Sequence, residues 1–265
     1  MKTPYPAGTP KKRRLPGLTI NTMIPNILTL LALSAGLTSM RFAIEERWEY
    51  AAFAIVAAAI LDTLDGRVAR LLKGASKFGA ELDSLSDFVC FGVAPAMILY
   101  LWSMETVGRP GWILVMLFAM CCGLRLARFN VALEDENAPV WKAHFFAGVP
   151  APAGAGLVLL PMVMSFIAGD EILRDPWVVA SFLFVVGGLL VSSLPTFSFK
   201  KVRITSRWVL PTMLIVAGIA AFSVSVPWWT LSAVLLTYIS TIPFSYQAHR
   251  RFEAKDAEPK KPAAD

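Results

Sequence analysis

Asp62 and Asp65 close one apolar stretch of this chain, and Asp83 and Asp87 open the next. Between them, Lys73-Gly74-Ala75-Ser76-Lys77 has the composition of a tight turn. Two helices meeting antiparallel at that turn bring Asp65 level with Asp83 and Asp62 level with Asp87, roughly 13–19 Å from the turn at 1.5 Å per residue. Each Asp at the centre of a membrane helix costs about 2.5–3.5 kcal/mol, and four like charges also repel. Bound cations make such a layout reasonable. Hard carboxylate oxygens at this density suit Mg²⁺ or Mn²⁺. The only two histidines, His144 and His249, give little support to an imidazole zinc site.

The neighbours of the four carboxylates suggest what the cations would act on. Asp62, Asp65, Gly66 and Ala69 fall on one helix face. Gly66 leaves the backbone bare one turn from Asp62, and Ala69 nearly so, which allows a flat ligand or a phosphate close approach. Arg70 offers a guanidinium for a phosphate, although an Arg at a helix end also commonly reaches back to the interface. Gly79 lets the next helix come close to the same place. Cations, a guanidinium and bare backbone together read as phosphoryl-transfer chemistry on a substrate that reaches the membrane.

Further polar groups have two readings each. Asn26 and Thr29 share a helix face, either directed at the site or joining helices. Arg125 and Arg128 suit a carboxylate or a lipid phosphate, and suit a positive-inside anchor equally well. Lys200 is similar. Glu81 faces away from Asp83 by helix geometry, and His144 is an ordinary loop residue. Cys90, Cys121 and Cys122 behave as small apolar residues, with no disulfide framework.

The elements that must position these groups are membrane helices. The chain has 265 residues, is 56% hydrophobic and only 17% charged, with mean hydropathy +0.58. Those values exclude an ordinary soluble domain and predict an all-α polytopic bundle. Eight apolar stretches reach spanning length: about 20–41, 49–71, 80–104, 110–131, 147–168, 176–195, 208–226 and 228–247. Residues 1–17 and 252–265 read as cytoplasmic tails, and 18–251 as one integral membrane catalytic domain. With the N-terminus inside, 21 of the 25 basic residues fall on the inner side, leaving Arg41, Arg47, Arg109 and Arg174 outside. That asymmetry predicts cytoplasmic termini and a carboxylate cluster toward the cytoplasmic face of the cell's inner membrane. The net charge of +6 is spread over membrane flanks rather than one soluble face, which argues for anionic lipid and against nucleic acid.

The run Asp62-x2-Asp65-Gly66-x2-Ala69-Arg70-x8-Gly79-x3-Asp83-x3-Asp87 resembles the full motif of the CDP-alcohol phosphotransferases, at every fixed position and spacing. Members of that family are integral-membrane, usually dimeric enzymes that move a phosphatidyl or phospho-group from a CDP-linked donor to an alcohol and release CMP. The resemblance implies that Asp62, Asp65 and Asp83 bind two divalent metals, with Asp87 as the base and a further ligand. It also implies that Gly66, Ala69, Arg70 and Gly79 line the CDP site, and that a homodimer forms. The family core has six spans, so the final helix pair is additional. Leu124–Val131, Phe145–Ala153, Pro195–Lys200 and the opening Pro25-Asn26-x2-Thr29 resemble the phosphatidylserine synthase branch. That branch implies CDP-diacylglycerol as donor and L-serine as acceptor, with Asn26 and Thr29 on the donor side and Arg125, Arg128 and Lys200 near the acceptor or phosphate. Two alternatives stand beside it: another acceptor (glycerol phosphate, an inositol compound or choline), and a membrane cation transporter that uses the carboxylates as its ion site.

Overall fold

The computed structural model describes residues 20–74, 76–133, 145–192, 195–197 and 206–241. The two predicted tails, Lys200, His144 and His249 lie outside the described residues. All eight predicted stretches are helical over most of their described length. Helix α1 (Ile20–Ile44) and α2 (Trp48–Leu71) form an antiparallel pair, followed by α3 (Lys77–Asp87) and α4 (Ala94–Trp102). Next come α5 (Arg109–Leu133), α6 (Ala151–Val158), α7 (Leu160–Ala168), the short α8 (Asp170–Leu173), α9 (Pro176–Val191) and α10 (Ser206–Ser225). A last helix, α11, runs from 227 to the last described residue, 241.

The turn between α2 and α3 takes the tight form its composition predicts. Gly74 N–H donates to Ala69 O at 2.9 Å and Lys73 N–H to Arg70 O at 3.3 Å, with Lys73 at φ +50°. This paired closure satisfies the last carbonyls of α2. Ser76 then caps α3, its Oγ accepting from Gly79 N–H at 3.0 Å.

Two features depart from a plain helical reading. The stretch expected as one helix over 80–104 contains a π-helical turn, Phe88–Val93, directly after Asp87. Pro95 has no N–H to offer Phe91 O, and the ladder shifts so that Ala94 N–H donates to Val89 O instead. The all-α expectation also has one small exception. β1 (Phe145–Ala147) pairs antiparallel with β2 (Pro195–Phe197), Phe146 opposite Thr196. Gly148 follows β1 at φ +82°, and a side chain there would meet Leu190 O at 2.8 Å. Glycine is required on both counts.

Small residues let these helices approach. Ala32 and Ala43 of α1 and Ala51, Ala52 and Ala58 of α2 are buried, and a Cβ on Gly36 would lie 2.6 Å from Cys90 Sγ. Cys90 and Cys122 are buried free thiols, as their apolar settings predict. Large apolar side chains such as Ile27, Ile113, Leu124 and Leu214 face outward, the pattern of a protein solvated by lipid.

Among the described residues, three helical segments are long and apolar enough to cross a membrane: Thr22–Ile44, Lys77–Trp102 and Arg109–Ala132. The pair α6–α7, bent by 41° ahead of Pro161, makes a fourth if it is one span. That is fewer than eight, for physical reasons. Every 18-residue window of α2 holds three or more charged residues, the Asp pair among them, and Pro176–Val191 and Leu210–Ser225 are short.

Candidate metal and phosphate site

The antiparallel α2–α3 arrangement delivers the predicted carboxylate layers. Asp62, Asp83 and Asp87 each present an oxygen, and these atoms all lie within 4.8 Å of one another. Asp62 and Asp87 are within hydrogen-bonding reach, and Asp65 faces Asp83 within Coulombic range. Asp87 Oδ1 is buried with no protein partner among the described residues. An orphaned carboxylate oxygen beside two more carboxylates is an arrangement that a hard divalent cation satisfies, so the donor set fits Mg²⁺ or Mn²⁺.

Helix α1 reaches both carboxylate-bearing helices. Thr29 Oγ1 donates to Asp65 Oδ2 at 2.7 Å, and Asp65 is only 4% exposed. Ser86 Oγ donates to Thr29 O at 3.3 Å, tying α3 to the same point. Asn26 packs against the start of α3, where a Cβ on Gly79 would stand 2.8 Å from Asn26 Oδ1. Gly79 therefore leaves room for the Asn26 side chain against the start of α3. Of the two α1 residues, Thr29 is a partner of Asp65, and Asn26 lies against Gly79 at the start of α3.

One side of the site is open. Among the described residues, nothing lies within 4 Å of where a Cβ on Gly66 would be. Arg70 is exposed and has no ion-pair partner among the described residues, and Ala69 is half-buried. Glu81 is exposed, away from the carboxylates. A phosphate approaching over Gly66 meets bare backbone, with cations available on α2.

The two arginines of α5 have separate partners. Arg125 is 9% exposed, lies within Coulombic reach of Asp87 and has a buried Nε with no hydrogen-bond partner among the described residues. Arg128 instead donates from Nη1 to Val191 O at 2.9 Å and from Nη2 to Ser192 O at 2.8 Å. A guanidinium on the last carbonyls of α9 satisfies orphan acceptors and complements the helix dipole. Sequence reasoning also passed over Asn130, whose Nδ2 donates to Ser84 Oγ at 2.8 Å and fixes α5 to α3 between the Asp83 and Asp87 turns. Its signal was its place in Leu124–Val131, one of the stretches that carry the branch resemblance. Lys200 lies outside the described residues.

Comparison with known proteins places this geometry in context. The model of the CDP-alcohol phosphatidyltransferase family matches residues 22–191. A CDP-diacylglycerol–serine O-phosphatidyltransferase of Mycobacterium tuberculosis (strain ATCC 25618 / H37Rv) is 37% identical over 243 residues, covering 92% of this chain and 84% of the relative. The protein of that name from Mycobacterium leprae is 39% identical over 241 residues, 91% of this chain and 79% of the relative. One from Helicobacter pylori (strain ATCC 700392 / 26695) is 37% identical over 185 residues, 68% of this chain and 74% of the relative.

Proposed function

The chain belongs to the CDP-alcohol phosphatidyltransferase family, and from that premise we propose that it transfers the phosphatidyl group of CDP-diacylglycerol to the hydroxyl of L-serine. The products are phosphatidylserine and CMP. The observation that carries this reading is the convergence of Asp62, Asp83 and Asp87 beside the open backbone at Gly66. Relatives that bear this activity in their names match along most of the chain.

Asp62, Asp65, Asp83 and Asp87 hold two divalent cations, Mg²⁺ or Mn²⁺. When bound, these ions neutralise charge on the donor pyrophosphate and on the phosphate that departs with CMP. Gly66, Ala69 and Gly79 give the CDP group room, and Arg70 meets its phosphate charge. Asp87 accepts the proton of the serine hydroxyl as that oxygen attacks the phosphorus bonded to diacylglycerol. The bond from that phosphorus to the bridging oxygen breaks, and CMP leaves with the oxygen and the electron pair. Arg125, beside Asp87, meets the serine carboxylate and so places the amino acid with its hydroxyl next to the base. Arg128 holds the end of α9 and supports this site from outside it.

The 21-to-4 split of basic residues supports cytoplasmic termini, an inner-membrane location and a site toward the cytoplasm. It also supports eight crossings, with α2, α9, α10 and α11 completing the set. The family resemblance supports a homodimer.

The test is to incubate purified protein with CDP-diacylglycerol, a divalent metal and a panel of alcohols while following CMP. Serine alone should drive rapid release. Rapid release with glycerol phosphate and none with serine rejects the acceptor while leaving the carboxylate chemistry standing.

A further inference from the structure

A cleft of about 430 Å³ runs along a face of α2 distinct from the one that carries Asp62 and Asp65, a size within the usual range for ligand sites. Its three walls are α2 from Ala52 to Arg67, the α6–α7 pair from Pro152 to Val163, and α11 through Leu231 and Leu235. The lining is aliphatic except at one end, where Thr63 and Arg67 stand. Thr63 Oγ1 is already bonded to Ala59 O at 2.9 Å, so Arg67 supplies the charge. Its guanidinium has no ion-pair partner among the described residues.

The polarity of the cleft has a direction. From Arg67 to Ala52 is fifteen residues of helix, roughly 22 Å, longer than the roughly 15 Å of hydrocarbon in one leaflet. Thr63 and Arg67 lie at the height of Asp62 and Gly66 but on another face of α2, and Thr63 stands one turn from Gly66, whose bare backbone lies between the two faces. The charged end is therefore at the height of the carboxylates, and the apolar end lies deeper in the membrane. An amphiphile with a phosphate at its head and a hydrocarbon tail has this same layout.

The third wall comes from a part of the chain outside residues 22–191, the segment that the family model matches. Leu235 packs directly on Gly156, where a Cβ would lie 2.8 Å from Leu235 Cδ2. Helix α11 thus approaches α6 at a glycine and covers a face of α2 that would otherwise be open to bulk lipid.

We propose that this cleft holds one acyl chain of the phosphatidyl donor, with Arg67 at its phosphate end, and that α11 sets which chains are accepted. The proposal rests on the donor assignment made above. It gives the C-terminal helix a role in substrate selection.

The decisive experiment uses the full chain in phosphatidylcholine nanodiscs and a CDP-diacylglycerol carrying a photoreactive diazirine near the end of one acyl chain. Labelling should fall on the peptides around Val56 and Leu231–Leu235, and excess unlabelled CDP-diacylglycerol should suppress it at least tenfold. Labelling that the unlabelled donor leaves unchanged marks a site for bulk lipid and overturns the proposal, as does labelling confined to other helices. A second arm compares dioctanoyl and dioleoyl donors on Val56→Phe, which obstructs the cleft roughly 16 Å from Arg67. The rate with the dioleoyl donor should fall tenfold or more, with the dioctanoyl rate within twofold of the unmodified protein; a dioleoyl rate within twofold of the unmodified protein contradicts the proposal. CMP release with serine by the unmodified protein is read in the same preparation. Release without competed labelling removes the cleft assignment alone, whereas competed labelling with no release removes the acceptor reading and leaves the cleft standing.

Discussion

Thr29 on α1 and Asp65 on α2, 36 residues apart in the chain, are joined by a hydrogen bond of 2.7 Å that orients the most buried of the four carboxylates. A carboxylate at 4% exposure needs a donor, and the hydroxyl supplies one without competing for the open side where a ligand approaches.

Removing that donor should show first in metal dependence. Thr29→Val keeps the shape of the side chain and loses the hydroxyl, so the metal concentration for half-maximal CMP release should rise roughly 10–100-fold, the usual effect of losing an outer partner of a ligand. Thr29→Ser should restore most of it. A metal titration identical in Thr29→Val and the unmodified protein removes Thr29 from this role.

Gly79→Ala places a methyl group 2.8 Å from Asn26 Oδ1 and 3.1 Å from Ser76 Oγ, so it displaces the Asn26 side chain from the start of α3 and disturbs the Ser76 cap. The expected result is a lower thermal midpoint and at least a tenfold loss of activity. Adding Asn26→Ala should recover part of both, because the two changes relieve one another. Strict additivity in the double variant means that the two residues do not interact.

The arginines of α5 should separate cleanly. Arg125→Ala is expected to raise the apparent KM for serine by roughly tenfold or more, the loss of a charge-assisted hydrogen bond of about 1.5–3 kcal/mol, with donor KM changing less. Arg128→Ala removes the two hydrogen bonds to Val191 O and Ser192 O, so it should lower the thermal midpoint with little change in serine KM. A rise in serine KM confined to Arg128→Ala reverses the assignment.

Much of the site was legible because its pattern is local. The spacing of Asp62, Asp65, Asp83 and Asp87 about a recognisable turn fixes which carboxylates face each other, whatever the rest of the bundle does. The bare backbone at Gly66 follows from α2 alone, whereas the close approach at Gly79 is made by Asn26 of α1, a partner that the local pattern does not give. What was not legible depends on distant partners. Arg128 satisfies carbonyls more than sixty residues away, and Asn130 finds Ser84, neither of which periodicity can reveal. The β1–β2 pairing joins segments fifty residues apart, each only three residues long. The π turn after Asp87 results from Pro95, whose effect on a helix can be a kink, a break or a shifted ladder.

Orientation has its own test. Single cysteines at Ser76 and Asp170, in a background without Cys90, Cys121 and Cys122, should be labelled by an impermeant maleimide from opposite sides, Ser76 from the cytoplasm. Labelling of both from one side contradicts the crossings assigned between them.

The central claim, that these carboxylates move a phosphatidyl group to serine with Asp87 as the base, is tested most directly by the Asp87→Asn variant. CMP release and phosphatidylserine formation should be measured together, alongside equilibrium binding of CDP-diacylglycerol. The unmodified protein should make both products in equal amounts. Asp87→Asn should lose roughly 10²–10⁴-fold in turnover, the typical contribution of a general base, while still binding the donor. A near-normal turnover in Asp87→Asn would contradict the account.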